Sequence, residues 1–282
     1  MTTPGGVACI AVAPGGMLLR MLLVRGLPHP GLSGAVSGYA DFAQRTGKPV
    51  ENGEAATAAL VLIIDLDCGW SVEGARFGSF AGGVYMRPVR VRHEGSARGV
   101  QVNLEPPALR RLTGTPAGEL RERTLGLEDL LGAQAARLAE QLYELPDARA
   151  RFEALDRELL RRVEAAPPHP HPDVERAWQL LRATGGRISI EELARRLGCS
   201  RRHLARRFAE DVGATPKQAA RLMRFETARR LLQASAGCVP IARVAAECGF
   251  ADQAHMAREF RELAGAPPTA VPFVQDDVAA AA

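Results

Sequence analysis

The chain has 282 residues, 46% of them hydrophobic and 5% aromatic, which is enough for two domains with cores of aliphatic side chains and alanine. Its formal net charge is only +4, and its five cysteines form no CxxC pair, which argues against a disulfide framework or a structural zinc site. No basic segment precedes the first apolar run, and that run, residues 17–24, is too short to span a bilayer. We therefore expect a cytoplasmic protein with no membrane partner.

Short apolar runs separated by glycine occupy the first 110 residues or so. Residues 17–24, 60–66, 89–93 and 100–104 are predicted strands, and the pairs Gly15-Gly16 and Gly82-Gly83 are predicted turns. Helical spacing begins near Pro116, with one apolar face at positions 135, 138, 139 and 142 and another at 152, 155 and 159. This half is predicted to be a β-rich domain, a small sheet or barrel, with trailing helices over residues 1–164.

A proline-rich segment, residues 165–172, marks the predicted domain boundary. Its four prolines cannot continue a helix and favour an extended spacer. His169 and His171 within it could be metal ligands, but we favour the interpretation that they are incidental histidines in a linker. Residues 173–272 are helical in pattern, and residues 273–282 are predicted to be a disordered tail. The fold class is therefore α+β, with two domains.

Two copies of a helix-turn-helix pattern lie at residues 193–216 and 244–268. Gly198 and Gly249 stand at the two turns, where a left-handed residue ends a helix. Beyond the turns the copies match at a constant offset, in the pairs Ser200/Asp252, His203/His255, Leu204/Met256, Arg206/Arg258, Phe208/Phe260 and Pro216/Pro268. Thr215 and Pro216 predict the start of a long helix that runs to about Leu232 and fixes the spacing of the two units.

Helical spacing buries Leu204, Phe208 and Val212 on the second helix of the first unit and leaves its arginines on the opposite side. Residues 193–230 carry eleven Lys/Arg against three Asp/Glu, and residues 243–265 carry three against four, so the positive charge is concentrated in the first unit. A repeated turn-plus-helix of this kind suits two neighbouring stretches of DNA major groove, roughly 34 Å apart.

The residue types suggest separate roles at such a DNA interface. Arginine matches the acceptors of guanine and glutamine can pair with adenine, so the candidates for base contacts are Arg202, Arg206, Gln253 and Arg258. The candidates for phosphate contacts are Arg201, Arg207 and the helix N-termini at Ser200 and Asp252. His203 and His255 either touch phosphate or pack against the preceding helix. A capping box is predicted at Ser189 and Glu192, at the start of the helix before the first turn.

Residues from about 173 to 272 resemble the DNA-binding domain of the AraC/XylS family of bacterial transcription regulators. GFADQAHMAREFRELAGAPP is similar to the second repeat of the family, and residues 193–232 to its first repeat and linker helix. The resemblance implies two helix-turn-helix units on double-stranded DNA. The chain departs from the family pattern shortly after Pro268, where the family has an aromatic residue followed by arginine and this chain has Val271 and Pro272.

The resemblance also implies roles for the N-terminal half, often a cupin-like barrel that senses a small molecule, mediates dimerisation, or both. We expect a transcription regulator, with RNA polymerase and a second copy of the chain as further partners, and neither a cofactor nor a bound metal.

The alternative is a DNA-binding module fused to an alkyl-transfer enzyme with a reactive cysteine. Asp65 and Asp67 beside Cys68 disfavour the thiolate that it needs, and the motifs HExxH, GxSxG and GxxxxGK[ST] are missing. Cys199, Cys238 and Cys248 are predicted to be small core residues.

Overall fold

A computed structural model describes residues 7–12, 18–67, 69–235 and 238–270, with side chains from residue 22 onward. The predicted turn at Gly15-Gly16, the thiol of Cys68 and the predicted tail lie outside these residues. The described part has an α+β architecture, with strands in the N-terminal half and helices in the C-terminal half. Among the described residues, every helix is too short or too polar to cross a membrane.

The strands form two antiparallel sheets. The seven-stranded sheet has the order β1-β2-β3-β10-β5-β8-β11, and the four-stranded sheet has the order β4-β9-β6-β7. The strands are β1 (Val7–Val12), β2 (Leu18–Gly26), β3 (Val36–Arg45), β4 (Val50–Glu54), β5 (Leu60–Asp65), β6 (Trp70–Val72), β7 (Ala75–Phe77), β8 (Phe80–Gly82), β9 (Val89–His93), β10 (Ser96–Leu104) and β11 (Thr124–Gly126).

The four strands predicted from apolar runs correspond to β2, β5, β9 and β10. The predicted turn at Gly82-Gly83 is wrong, because Gly82 pairs with Val61 as the last residue of β8. Gly83 is needed for a close approach, since a Cβ there would lie 1.6 Å from the carbonyl oxygen of Leu120.

Ten α-helices follow or flank the sheets within the described residues. They are α1 (Leu109–Thr113), α2 (Leu127–Leu131), α3 (Gln134–Glu144), α4 (Ala148–Ala165), α5 (Pro172–Ala183), α6 (Ile190–Arg196), α7 (Arg201–Val212), α8 (Pro216–Ala234), α9 (Ile241–Glu247) and α10 (Gln253–Ala264). The predicted apolar faces of α3 and α4 are buried at Ala135, Leu142, Phe152, Leu155 and Leu159.

Both faces of β3, in the seven-stranded sheet, are covered. On β3, Tyr39 stacks on Phe152 of α4 at 5.4 Å between ring centroids, whereas Ala40 and Phe42 belong to a second cluster that includes Val72 of the four-stranded sheet. The alternation of polar and apolar residues that marks a half-exposed strand is therefore missing from β3, and the sequence did not predict it.

The proline-rich segment connects α4 to α5, and its prolines are exposed whereas its two histidines are packed. His169 is buried, and the Nδ1 atom of His171 lies 2.6 Å from a carboxylate oxygen of Asp211 on α7. The interpretation of these histidines as incidental is therefore wrong: the chain turns here against the helical domain, and His171 fixes the contact.

Further contacts join the β-rich half to the helical half. Arg110 after β10 forms an ion pair with Asp211 at 2.8 Å, and a short 3-10 helix, Ala117–Leu120, packs against α7. A Cβ at Gly118 of that 3-10 helix would lie 2.4 Å from the carbonyl oxygen of Glu210. One hydrophobic cluster runs through both halves, from Leu32 to Leu263.

Candidate nucleic-acid interface

The first helix-turn-helix unit consists of α6 and α7. Gly198 at the turn has φ = 66°, the left-handed conformation that ends α6 without a Cβ penalty. The side chain of Ser200 then accepts a hydrogen bond from the His203 N–H at 3.2 Å and caps α7. The predicted inner face of α7 is fully buried at Leu204, Phe208 and Val212.

The second unit, α9 and α10, repeats this construction. Gly249 at the turn has φ = 77°, and the carboxylate of Asp252 accepts a hydrogen bond from the His255 N–H at 2.6 Å. Met256 and Phe260 are fully buried, as their counterparts in α7 are. Gly213 and Gly265, at φ = 77° and 72°, end α7 and α10 in the same way.

The long helix α8 joins the two units and packs against the second. Phe225 of α8 meets Phe260 edge to face at 4.8 Å between centroids, and Arg221 forms ion pairs with Glu259 at 2.9 Å and Glu262 at 2.6 Å. Thr215 caps α8, as predicted, and forms a capping box with Gln218 that was not predicted although Gln stands at the required position.

The capping box predicted for α6 forms only in part. The Ser189 side chain accepts a hydrogen bond from the Glu192 N–H at 3.1 Å. The Glu192 carboxylate does not return to Ser189; it pairs with Arg195 and Arg196, each at 2.7 Å. The two guanidinium groups are stronger partners for a carboxylate than a backbone N–H.

Exposed arginines on α7 and α10 differ from those on the first helices in having no acidic partner. Arg195 and Arg196 on α6 pair with Glu192, and Arg243 on α9 pairs with Glu247. Among the described residues, no ion pair or side-chain hydrogen bond involves the exposed side chains of Arg201, Arg202, Arg206, Gln253 and Arg258. Their donors are therefore available to a ligand such as a phosphate or a base edge.

Arg207 is placed differently from the prediction, which had it pointing away from the core. Its side chain is half-buried, and its guanidinium lies 3.4 Å from the Asp173 carboxylate of α5. The position follows from helix geometry: Arg207 is three residues after Leu204 and one before Phe208, at the edge of the buried face. The other predicted arginines, Arg201, Arg202 and Arg206, are exposed.

The two histidines that match between the units, His203 and His255, are both partly buried. The Nδ1 atom of His255 accepts a hydrogen bond from the Ala251 N–H at 3.2 Å, and its ring meets Phe250 edge to face at 5.6 Å. His255 therefore packs against the residues of its own turn, and its Nε2 atom lies 3.5 Å from the Glu259 carboxylate.

The three cysteines of this half lie in different environments. Cys248 is buried, and burial raises its pKa to about 11; burial also raises the pKa of Cys199. Neither thiol is therefore activated. Cys238 is exposed, so its assignment to the core is wrong; it lies in the connection that precedes α9.

One group of potential metal ligands occurs among the described residues, where atoms of His171, Glu210 and Asp211 lie within 4.8 Å of one another. The Arg110 guanidinium already bonds to Asp211 at 2.8 Å and to Glu210 at 3.2 Å. A cation would have to displace this positive charge, so the group is better explained as an ion-pair cluster between the two halves.

Comparison with known proteins agrees with the geometry of the two units. The sequence profile of a family described as "Helix-turn-helix domain" matches residues 193–271. This region is an AraC/XylS-type helix-turn-helix domain. The HTH-type transcriptional regulator Rv1931c of Mycobacterium tuberculosis is 38% identical to this chain over 84 residues. That match covers 30% of this chain and 32% of the regulator, so the chain spans about a third of the length of this relative.

Solved structures are more distant. ToxT of Vibrio cholerae is 10% identical, with a TM-score of 0.46, over 89% of this chain and 96% of ToxT. The C-terminal domain of AraT, a response regulator of Geobacillus stearothermophilus, is 25% identical, with a TM-score of 0.32, over 35% of this chain and 81% of that domain. The helix-turn-helix assignment rests on the sequence profile and on the paired geometry described above.

Proposed function

We propose that the chain is a sequence-specific DNA-binding transcription regulator. The observation that carries the proposal is the set of exposed arginines on α7 that have no acidic partner among the described residues, while those on α6 and α9 are paired. Arg202, Arg206, Gln253 and Arg258 would contact bases. Arg201 and the capped N-termini at Ser200 and Asp252 would contact phosphates.

Arg207 and the two histidines have supporting roles in this proposal. Arg207 holds α7 on α5 through Asp173, and its remaining donors would reach a phosphate at the edge of the interface. His255 would position the turn before α10 through its hydrogen bond from Ala251, and His203 occupies the equivalent place in α7, within reach of a phosphate.

Selection of binding sites from random duplex DNA, followed by footprinting on the selected site, tests the proposal. We expect one preferred sequence that spans two adjacent major-groove segments, bound at least a thousandfold more tightly than random DNA and with a steep salt dependence. Equal affinity for all sequences would refute sequence-specific regulation.

The same proposal assigns a role to each part of the chain. Residues 1–164 would receive a small-molecule signal and mediate dimerisation, residues 165–172 would form the connection, and residues 173–272 would bind DNA in the cytoplasm and contact RNA polymerase. We assign no catalytic step to the chain. Light scattering on the purified protein tests the dimer, and intact-mass measurement after exposure to alkylated DNA tests the absence of alkyl transfer to a cysteine.

A further inference from the structure

A cavity of about 160 Å³ lies between the two sheets of the N-terminal half. Its volume is comparable with that of an apolar protein cavity known to hold benzene. The walls come from both sheets and are mainly apolar, with Phe42, Val61, Ile63, Trp70, Phe80 and Val91 among the lining residues. A ligand here would be small, uncharged and mostly apolar, because a charged group would lose its hydration in a wall that is mainly apolar. The charged side chain in this wall is Glu54, which already has a partner and would repel an anion.

His93 is a buried titratable side chain in this cavity wall, with 3% of its surface exposed. Burial lowers the pKa of His93, so the imidazole is neutral at pH 7. Its Nδ1 atom accepts a hydrogen bond from the Gly95 N–H at 3.3 Å, which places the ring proton on Nε2. Within the described residues Nε2 has no hydrogen-bond partner. A ligand with an acceptor oxygen would satisfy this buried donor.

Residues 55–59, here called the connecting segment, join the cavity to the helix-turn-helix domain. Ala55, Ala56 and Thr57 line the cavity. On its other side the same segment contacts α10, since the Ala56 N–H donates to the carbonyl oxygen of Leu263 at 2.7 Å. One stretch of backbone therefore touches both the cavity and the second DNA-binding unit.

The connecting segment is also bound to α8. The Thr57 hydroxyl and the Ala58 N–H both donate to the Glu226 carboxylate, at 2.8 and 2.6 Å. The other oxygen of Glu226 pairs with Arg182 of α5 at 2.9 Å. Any displacement of the segment by a ligand must strain or break these hydrogen bonds, which act on the helix that sets the spacing of the two units.

We propose that the cavity between the sheets binds a small, uncharged, mainly apolar molecule with one hydrogen-bond acceptor, and that the connecting segment transmits its binding to α8 and α10. This inference rests on the proposed DNA-binding function and adds the chemistry of the signal and the route by which it acts. Because coupling between two binding sites is reciprocal, DNA must also change the affinity for the ligand.

The ligand chemistry is tested by calorimetric titration of the whole chain with three probes of similar size. Acetophenone carries one acceptor, ethylbenzene carries none, and benzoate is charged. We expect wild-type protein to bind acetophenone about tenfold more tightly than ethylbenzene and not to bind benzoate. His93→Phe should bind both neutral probes with equal affinity, and its binding of ethylbenzene shows that the cavity is intact. Failure of acetophenone to bind, or equal binding of ethylbenzene by the wild type, would overturn the ligand assignment.

The route is tested by the affinity for the selected DNA site with and without saturating acetophenone. We expect a change of at least threefold for the wild type. Glu226→Gln should still bind acetophenone but show no change, because its amide holds Thr57 and Ala58 less strongly. The control Glu262→Gln, the same substitution on a residue that does not contact the segment, should respond as the wild type does. An unchanged response in Glu226→Gln would overturn the route.

The proposed DNA-binding function and the proposed ligand site are refuted by different results. If no DNA sequence is preferred, the proposed function fails, while the calorimetric titration still decides the ligand chemistry. If specific DNA binding is observed but acetophenone leaves it unaltered, the regulator stands and the transmission by the connecting segment is wrong.

Discussion

Arg151 of α4 and Asp41 of β3 form an ion pair of 2.7 Å across the interface between helix and sheet, and both side chains are almost completely buried. Arg151 also donates to the carbonyl oxygens of Leu142 at 2.9 Å and Leu145 at 2.7 Å, at the end of α3. One guanidinium thus ties α3, α4 and the seven-stranded sheet together.

Arg151→Ala should lower the free energy of unfolding by about 3–5 kcal/mol, because it leaves the Asp41 carboxylate buried without its counter-charge. Urea unfolding followed by circular dichroism measures this loss. The control Arg149→Ala removes an exposed pair with Glu153 on the same helix and should leave the unfolding midpoint unchanged. Equal midpoints for both variants would show that the buried pair contributes nothing.

Arg206→Ala and Arg207→Ala form a matched pair of substitutions on adjacent residues of α7. Arg206 is exposed without an acidic partner among the described residues, so its loss should weaken binding to the selected site about five- to hundredfold and relax the base preference at one position. Arg207 is held by Asp173, so its loss should mainly lower stability. Fluorescence anisotropy with labelled DNA, together with thermal unfolding, separates the two effects. A larger loss of DNA affinity in Arg207→Ala would reverse the assignment.

Gly118→Ala should disturb the contact between the β-rich half and α7. Its Cβ would lie 2.4 Å from the carbonyl oxygen of Glu210, so the 3-10 helix or α7 must shift. We expect destabilisation of about 1–3 kcal/mol, as for other overpacked sites. Gly53→Ala is the control, since nothing lies within 4 Å of a Cβ there. Indistinguishable thermal unfolding of the two variants would contradict a close contact at Gly118.

The stability of the chain should fall as pH decreases through about 6.5, in part because of His93. Burial holds the pKa of His93 below its unfolded value of about 6.5, so below that pH the unfolded chain takes up a proton that the folded chain does not. The contribution of His93 to the free energy of unfolding is therefore fully present above pH 6.5 and declines in acid. Urea unfolding between pH 5 and 8 should give a shallower decline for His93→Phe than for the wild type. Identical slopes would mean that His93 does not contribute.

The sequence predicted the helical half more fully than the β-rich half. In α7 and α10 the caps at Ser200 and Asp252, the glycine turns and the buried faces all act within a few residues, so spacing reveals them. β3 was missed because it is buried on both faces and holds small residues, which removes the alternation that marks a strand.

The amino-acid sequence by itself determined the two helix-turn-helix units, the long helix between them and the arginines on their outer faces, because these features depend on local hydrogen bonds and on the helical repeat. Only the tertiary structure decided that Arg207 turns to Asp173, that His171 meets Asp211, and that residues 55–59 lie between the cavity and Glu226. These contacts join residues far apart in the chain, and their partners are fixed by how the sheets and helices pack, which no local pattern encodes.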